Sequence, residues 1–228
     1  MTPPHEELSR LLEQAGVEPP LRLPLARYAA LLLETNRRFN LTGAKTSEAV
    51  AANLIDSLSV VPYLHEPYVD IGSGGGLPAI PAALATGMPV TMIETTAKKA
   101  RFLESALIEL DLRGEVVIER AEVAGHQEGL RERFASGTAR AIGSAPTVAE
   151  LLLPFIACGG VAVLQRGQLD AMERTALEDA CLMLGGRVER ESLLGDERRI
   201  ILVRKERPTP RRFPRRSGIP AKRPLCLT

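Results

Sequence analysis

This 228-residue chain predicts an α/β fold: a doubly wound, Rossmann-like parallel sheet behind an N-terminal helical cap, closed by an antiparallel strand pair. Three observations lead there. From residue 67 to residue 184, short apolar runs of strand length alternate with segments of helical period. The first strand runs through Asp70 into alternate glycines, Gly72, Gly74 and Gly76. That is the layout of a strand, loop and helix that seats a nucleoside at the carboxyl edge of such a sheet. Before residue 67 the periodicity is helical only.

The elements follow in order. Glu6 to Ala15 carries Leu8, Leu11 and Leu12 at helical spacing, and Leu21 to Phe39 carries Leu25, Tyr28, Leu32 and Phe39. Ser47 opens a third helix with Glu48 in its first turn, and Pro62 and Pro67 bracket its exit. Residues 1–66 are therefore the cap. Strand one is Tyr68 to Ile71, a helix runs from Leu77 to Thr86, and strand two is Val90 to Glu94. Ala97 to Leu110 is a helix with Leu103, Leu107 and Leu110 on one face; Val116 to Glu119 is strand three. A polar segment, read as helical, reaches Phe134. Ala139 to Ile142 is strand four, Val148 to Ala157 a helix, Val161 to Gln165 strand five, and Leu169 to Leu184 the last long helix. Arg187 to Ser192 and Ile200 to Arg204 form the closing pair, so the sheet domain spans 67–205. The tail, 206–228, is rich in proline and has no period.

Composition narrows the class. Hydrophobic residues make up 45% of the chain but tryptophan is absent, so the core must be built from Leu, Val, Ile and Ala. Cys158, Cys181 and Cys226 are too few and too scattered for a disulfide frame or a zinc site, and no metal is expected. Cys158 and Cys181, in apolar surroundings, read as inert core thiols. No signal peptide and no bilayer-length apolar run is seen, so the expectation is a cytoplasmic protein away from membranes; a monomer is expected separately. Charge is uneven: residues 204–223 carry nine Lys or Arg against Glu206 alone, a charge of +8, which leaves −7 on the remainder. Such a basic arm suits a polyanion.

The glycine loop excludes one reading. A dinucleotide fingerprint is G-x-G-x-x-G and binds a pyrophosphate. Here the spacing is D-x-G-x-G-x-G, and a carboxylate beside the loop suits a cationic ligand, for which S-adenosylmethionine is the candidate. Strand two ends in Glu94, twenty-two residues after Gly72, where an acid can accept from both ribose hydroxyls. Lys98, Lys99 and Arg101 crowd a helix N-terminus, where the dipole disfavours cations, and are placed to hold phosphates. Arg140 sits in a short central strand of small residues and is read as facing the cleft, with Arg166 in the same position after strand five. Exocyclic adenine methylation is disfavoured, because Arg140-Ala141-Ile142-Gly143 replaces the Asn/Asp-Pro-Pro-aromatic run it uses. Carbon-5 pyrimidine methylation is disfavoured too, since no cysteine follows a proline.

Taken together these residues resemble the RsmG (GidB) family, the bacterial small-subunit rRNA guanine-N7 methyltransferases. The resemblance runs from about residue 30 to the C-terminus. It is carried by Asn36 with Phe39-Asn40-Leu41-Thr42, Asp56-Ser57-Leu58, Asp70 to Pro78, Lys98-Lys99 with Arg101-Phe102, Arg120-Ala121-Glu122, Arg140-Ala141 and Gly159-Gly160. The tail adds Thr209-Pro210, Phe213-Pro214-Arg215-Arg216, Gly218, Pro220, Lys222 and Pro224-Leu225. The resemblance implies S-adenosylmethionine as methyl donor and 16S rRNA, or the small ribosomal subunit, as substrate at a guanine near the decoding site. It implies that Gly72, Gly74, Gly76, Glu94, Ala121 and Glu122 line the donor, and Asp70, Leu77 and Arg140 are expected there with them. It implies Arg140, Lys98 and Asn40 at the target base or its phosphates, and the basic positions Lys99, Arg101, Arg166, Arg211, Arg212, Arg215, Arg216 and Lys222 are expected on the RNA. Two positions depart from the usual pattern: Asn53 stands where many members have His, and Arg166 where they have Lys. Neither is therefore assigned as a general base.

Guanine N7 carries a lone pair and no proton, so no base is needed and positioning suffices. Two other readings share the fold: a methyltransferase of a small molecule or protein, which leaves the basic tail idle, and a non-catalytic rRNA-binding assembly factor, against which the intact glycine loop and Glu94 argue.

Overall fold

The computed structural model describes residues 4–195 and 198–226. Three helices form the cap: α1 (Pro4–Gln14), α2 (Pro19–Asn36) and α3 (Ser47–Leu58). α3 opens at Ser47 as expected, and Thr46 caps it, its hydroxyl accepting from the Ala49 amide at 3.2 Å. Then come β1 (Tyr68–Ile71), α4 (Ala79–Thr86), β2 (Val90–Ile93), α5 (Ala97–Glu109), β3 (Gly114–Val117), α6 (Ala121–Ala124) and β4 (Phe134–Arg140). They are followed by α7 (Ala145–Leu152), β5 (Ile156–Arg166), α8 (Ala171–Met183), β6 (Gly186–Leu194), β7 (Arg198–Lys205) and α9 (Ile219–Lys222).

The seven strands lie in the order β3-β2-β1-β4-β5-β7-β6. β1 to β5 pair in parallel, while β7 runs antiparallel between β5 and β6. The order reverses between β1 and β4, and such a switch point opens the crevice that receives ligands. Strand alternation divides the core into two layers. Tyr68, Val161, Val163 and Leu202 face the cap with α4 and α5. Val69, Ile71, Ala162, Leu164 and Val203 face α7 and α8.

Several expectations need correction. β3 begins at Gly114 rather than Val116, because Gly114 pairs with Val90 so closely that a Cβ would lie 2.5 Å from the Val90 carbonyl oxygen. The polar segment before Phe134 is not a helix beyond the single turn of α6. β4 starts five residues early, at Phe134 rather than Ala139, since its small residues are packing requirements. A Cβ on Gly137 would meet Ile156, Leu152 and Val69 within 3.0 Å. Cys158 is exposed, not a core thiol, whereas Cys181 is buried and its thiol is pushed up to about 12 by burial. The tail is not a free arm. Phe213 and Leu225 are buried in the second core layer, so residues 206–226 form a strap on the sheet domain.

Candidate active site

The glycine loop leaves β1 at the switch point with Gly72 at φ 66° and Gly74 at φ 57°, a region that costs an L-residue about 1–2 kcal/mol. At Gly72 space is also decisive, because a Cβ would approach Ile142 Cγ2 to 2.4 Å. The loop is held from two sides. Tyr28 reaches out of the cap and donates to the Gly75 carbonyl at 2.5 Å. Glu94, at the end of β2, accepts from the Gly74 amide with Oε2 and from the Thr96 amide with Oε1, both at 2.8 Å.

Around this loop lies a cavity of about 580 Å³. Its walls come from Gly72, Gly74 and Leu77, from Glu94 and Lys99, and from Ala121 and Glu122 after β3. Arg140 to Ile142 after β4 and Gly218 and Ala221 of the strap complete it. A second cavity of about 790 Å³ adjoins it, and Arg140, Ala141, Thr42 and Gly43 line both. The second is basic, with Arg140, Arg166, Arg198 and Arg199 in its walls. Each guanidinium is braced by an acid: Asp56 takes Arg198 at 2.7 Å and Arg140 at 3.3 Å, Glu173 takes Arg166 at 2.8 Å, and Glu191 takes Arg199 at 2.6 Å. Asn53 accepts from Arg140 at 3.3 Å, the same distance as Asp56. Ala141, directly after Arg140, sits at φ 57°, strained for a non-glycine residue at the junction of the two cavities.

Asp70 lies beneath the loop and lines neither cavity. Thr138 donates to its Oδ1 at 2.5 Å, and the Tyr68 hydroxyl supports Thr138 at 2.6 Å. Oδ2 is buried without a partner. Burial raises the Asp70 pKa to about 6, against the opposing effects of the Thr138 and Ser73 hydrogen bonds and the Arg140 charge.

The expected residues are thus divided. Gly72, Gly74, Leu77, Glu94, Lys99, Ala121, Glu122 and Arg140 meet at the glycine-loop cavity, and Arg166 at the basic one. Gly76 is packed beneath the loop against Ile80 and Tyr28. Lys98 and Arg101 line a separate groove between α2 and α5, because they lie on the side of α5 turned from the loop. Asn40 lines a third hollow, with Glu34, Arg37 and Lys45. Arg215 points inward onto Glu150, which is fully buried, at 2.6 Å; that pairing corrects its reading as a free RNA contact. Arg211, Arg212, Arg216 and Lys222 stand exposed on the strap. Sequence reasoning missed Asp56 as a brace, and missed Arg198 and Arg199 altogether. An available signal was the antiparallel β7: its amino end must lie at the same sheet edge as the carboxyl ends of its parallel neighbours.

The GidB family profile, described as rRNA small subunit methyltransferase G, matches residues 23–202. The chain belongs to this family. It is 38% identical to the "Ribosomal RNA small subunit methyltransferase G" of Rubrobacter xylanophilus, covering 96% of this chain and 90% of that protein. The counterpart from Deinococcus deserti is also 38% identical, covering 88% of each. Among solved structures, a branched-chain polyamine synthase from Thermus thermophilus superposes with a TM-score of 0.59 at 16% identity, over 83% of this chain and 65% of that one. The PH0226 protein of Pyrococcus horikoshii gives 0.55 at 13% identity, over 76% and 99%. At those identities the structures show a shared fold alone. Membership in the rRNA small subunit methyltransferase G family makes the molecule an S-adenosylmethionine-dependent rRNA methyltransferase. Among the described residues no helix is long and apolar enough to cross a membrane.

Proposed function

We propose that the protein methylates N7 of a guanine in 16S small-subunit rRNA near the decoding site, with the donor in the glycine-loop cavity and the target nucleotide in the basic cavity. The observation that carries this is Arg140, which lines both cavities. The donor fits the first cavity in three respects: loop glycines admit close backbone approach, Glu94 retains lone pairs for ribose hydroxyls, and the unpartnered Asp70 Oδ2 lies beneath a site for a cation. Bound there, S-adenosylmethionine supplies a methyl group on a sulfonium, an electrophile that needs only a lone pair in line.

The protein's own task is then to aim. The carboxylates lining the cavities are engaged in holding structure: Asp56 braces Arg140 and Arg198, Glu94 accepts from the Gly74 and Thr96 amides, Glu119 from the Arg120 amide and Glu122 from the Gly218 amide, which supports a reaction without a dedicated base. Guanine N7 has no proton to lose. Arginine often grips guanine at O6 and N7 together, but N7 must stay free to react, so Arg140 holds O6 or an adjacent phosphate. Asp56 and Asn53 hold Arg140, and Arg166, Arg198 and Arg199 take flanking phosphates. Orientation of this kind supplies about 7–11 kcal/mol in favourable intramolecular cases. The base must leave its stack, which favours a loop or splayed nucleotide. The ribosomal substrate supports a cytoplasmic site of action.

Incubation with isotopically labelled donor and either small ribosomal subunits or naked 16S rRNA, followed by mass spectrometry of the nucleosides, tests this. The expected product is a single N7-methylguanosine. Label on a small molecule, a protein or another base position would overturn it.

A further inference from the structure

The strap is rich in arginine on its outer side, but Gly218 and Ala221 on its inner side belong to the glycine-loop cavity. We propose that the strap is a wall of the donor site, positioning Glu122 and closing the cavity, so that donor affinity depends on it. This rests on the reading of that cavity as the donor site.

Gly218 and Ala221 line the cavity together with Glu122. The Gly218 amide donates to Glu122 Oε1 at 2.8 Å, which fixes the carboxylate and leaves Oε2 free to accept from a ligand. Anchors hold the strap on both sides of this contact. Before it, Arg131 donates to the carbonyls of Thr209 at 2.7 Å and Phe213 at 2.9 Å, and His126 Nε2 meets the Pro214 carbonyl at 2.8 Å. Since a carbonyl only accepts, that histidine nitrogen carries the proton. Arg215 then grips Glu150 on α7 with two guanidinium nitrogens and its own amide, at 2.6 to 2.9 Å for the shortest contact of each. After it, Thr147, also on α7, donates to the Pro220 carbonyl at 3.0 Å. Residues 216–219 therefore bridge two fixed points on one helix along the cavity rim. Gly218 takes φ 79° there, and no atom stands within 4 Å of where its Cβ would be. The exposed cations Arg211, Arg212 and Arg216 lie on the same segment, so RNA held by them would rest on the donor wall itself.

Titration calorimetry with S-adenosylhomocysteine tests the proposal on three proteins: wild type, a chain ending at Lys205, and Ala221→Trp. Ala221 is exposed, so the tryptophan fills the cavity without disturbing the core. The expected result is tight binding by the wild type, none by the shortened chain, and at least about a tenfold loss for Ala221→Trp with an unchanged melting temperature. Lys205 loses its bond to Thr209 in the shortened chain; if that chain fails to fold, Ala221→Trp alone decides. Wild-type affinity in Ala221→Trp overturns the proposal. Absence of binding by the wild type is a different result: it overturns the donor reading of the cavity, and this inference with it.

Discussion

Arg140, in the wall of the crevice, and Asp70, buried beneath its glycine loop, are set to different tasks. Arg140 ends β4 and is held by Asn53 and Asp56, so its guanidinium is braced before any substrate arrives. Arg140→Ala should lower single-turnover methyl transfer by at least about a hundredfold, a loss of roughly 3 kcal/mol in transition-state stabilisation, while S-adenosylhomocysteine affinity stays within a few-fold. Gly74→Val should act the other way round. Its Cβ clashes with nothing nearer than 3.7 Å, so folding loses only about 1–2 kcal/mol of φ strain, yet the side chain intrudes on the donor cavity and binding should vanish in calorimetry. Asp70 has a pKa of about 6 in the fold, above its unfolded value near 4. Between those values the native state binds more protons than the unfolded one, so stability falls as pH rises from about 4 to about 6 and stays reduced above. Asp70→Asn should flatten that segment of the stability curve in urea titrations and weaken binding of the cationic donor.

The cap earns its place at the scale of elements through one side chain. Asn36, the last residue of α2, accepts from the amides of Leu41 and Thr42 and donates to the carbonyls of Thr42 and Ala44, at 2.7 to 3.1 Å. That pins the loop which brings Thr42 and Gly43 to both cavities. Asn36→Ala should cost about 1–3 kcal/mol of stability and slow methyl transfer beyond what that loss explains, read by melting and by single turnovers at saturating donor. The Arg215–Glu150 pair fixes the strap. Glu150→Ala should lower stability by about 1–3 kcal/mol, less than for a fully buried pair because Arg215 can reach water. Much of this organisation was legible in the chain. The alternation of strand and helix patterns placed the glycine loop, Glu94 and Arg140 at one edge, and the structure brings them there. What was not legible came from long-range packing. The small residues before Ala139 fall outside strand four in the sequence pattern because nothing local shows that Ile156 and Val69 press on Gly137. The strap read as free because proline and arginine carry no period, while Phe213 is buried by contacts far along the sequence.

For the molecule as a whole, the switch point between β1 and β4 makes one crevice, and the charge distribution divides it. Glu94, Glu119 and Glu122 balance Lys99, Arg120 and Arg140 in the lining of the glycine-loop cavity, whereas Arg140, Arg166, Arg198 and Arg199 face Asp56 alone in the basic one beside it. On the proposed assignment the anionic RNA meets the more cationic of the two cavities, and Arg140 stands where they join. RNA affinity should fall steeply with salt, as expected when several phosphates are contacted, and donor affinity should change little over the same range. If aiming is the whole of catalysis, no group needs to give or take a proton in the chemical step. The most direct measurement is the single-turnover rate of N7-methylguanosine formation in 16S rRNA, with both cavities saturated, from about pH 6.5 to about pH 8.5. The rate should stay constant within about twofold; a rise of roughly tenfold per pH unit, the mark of an obligatory base, would contradict the account.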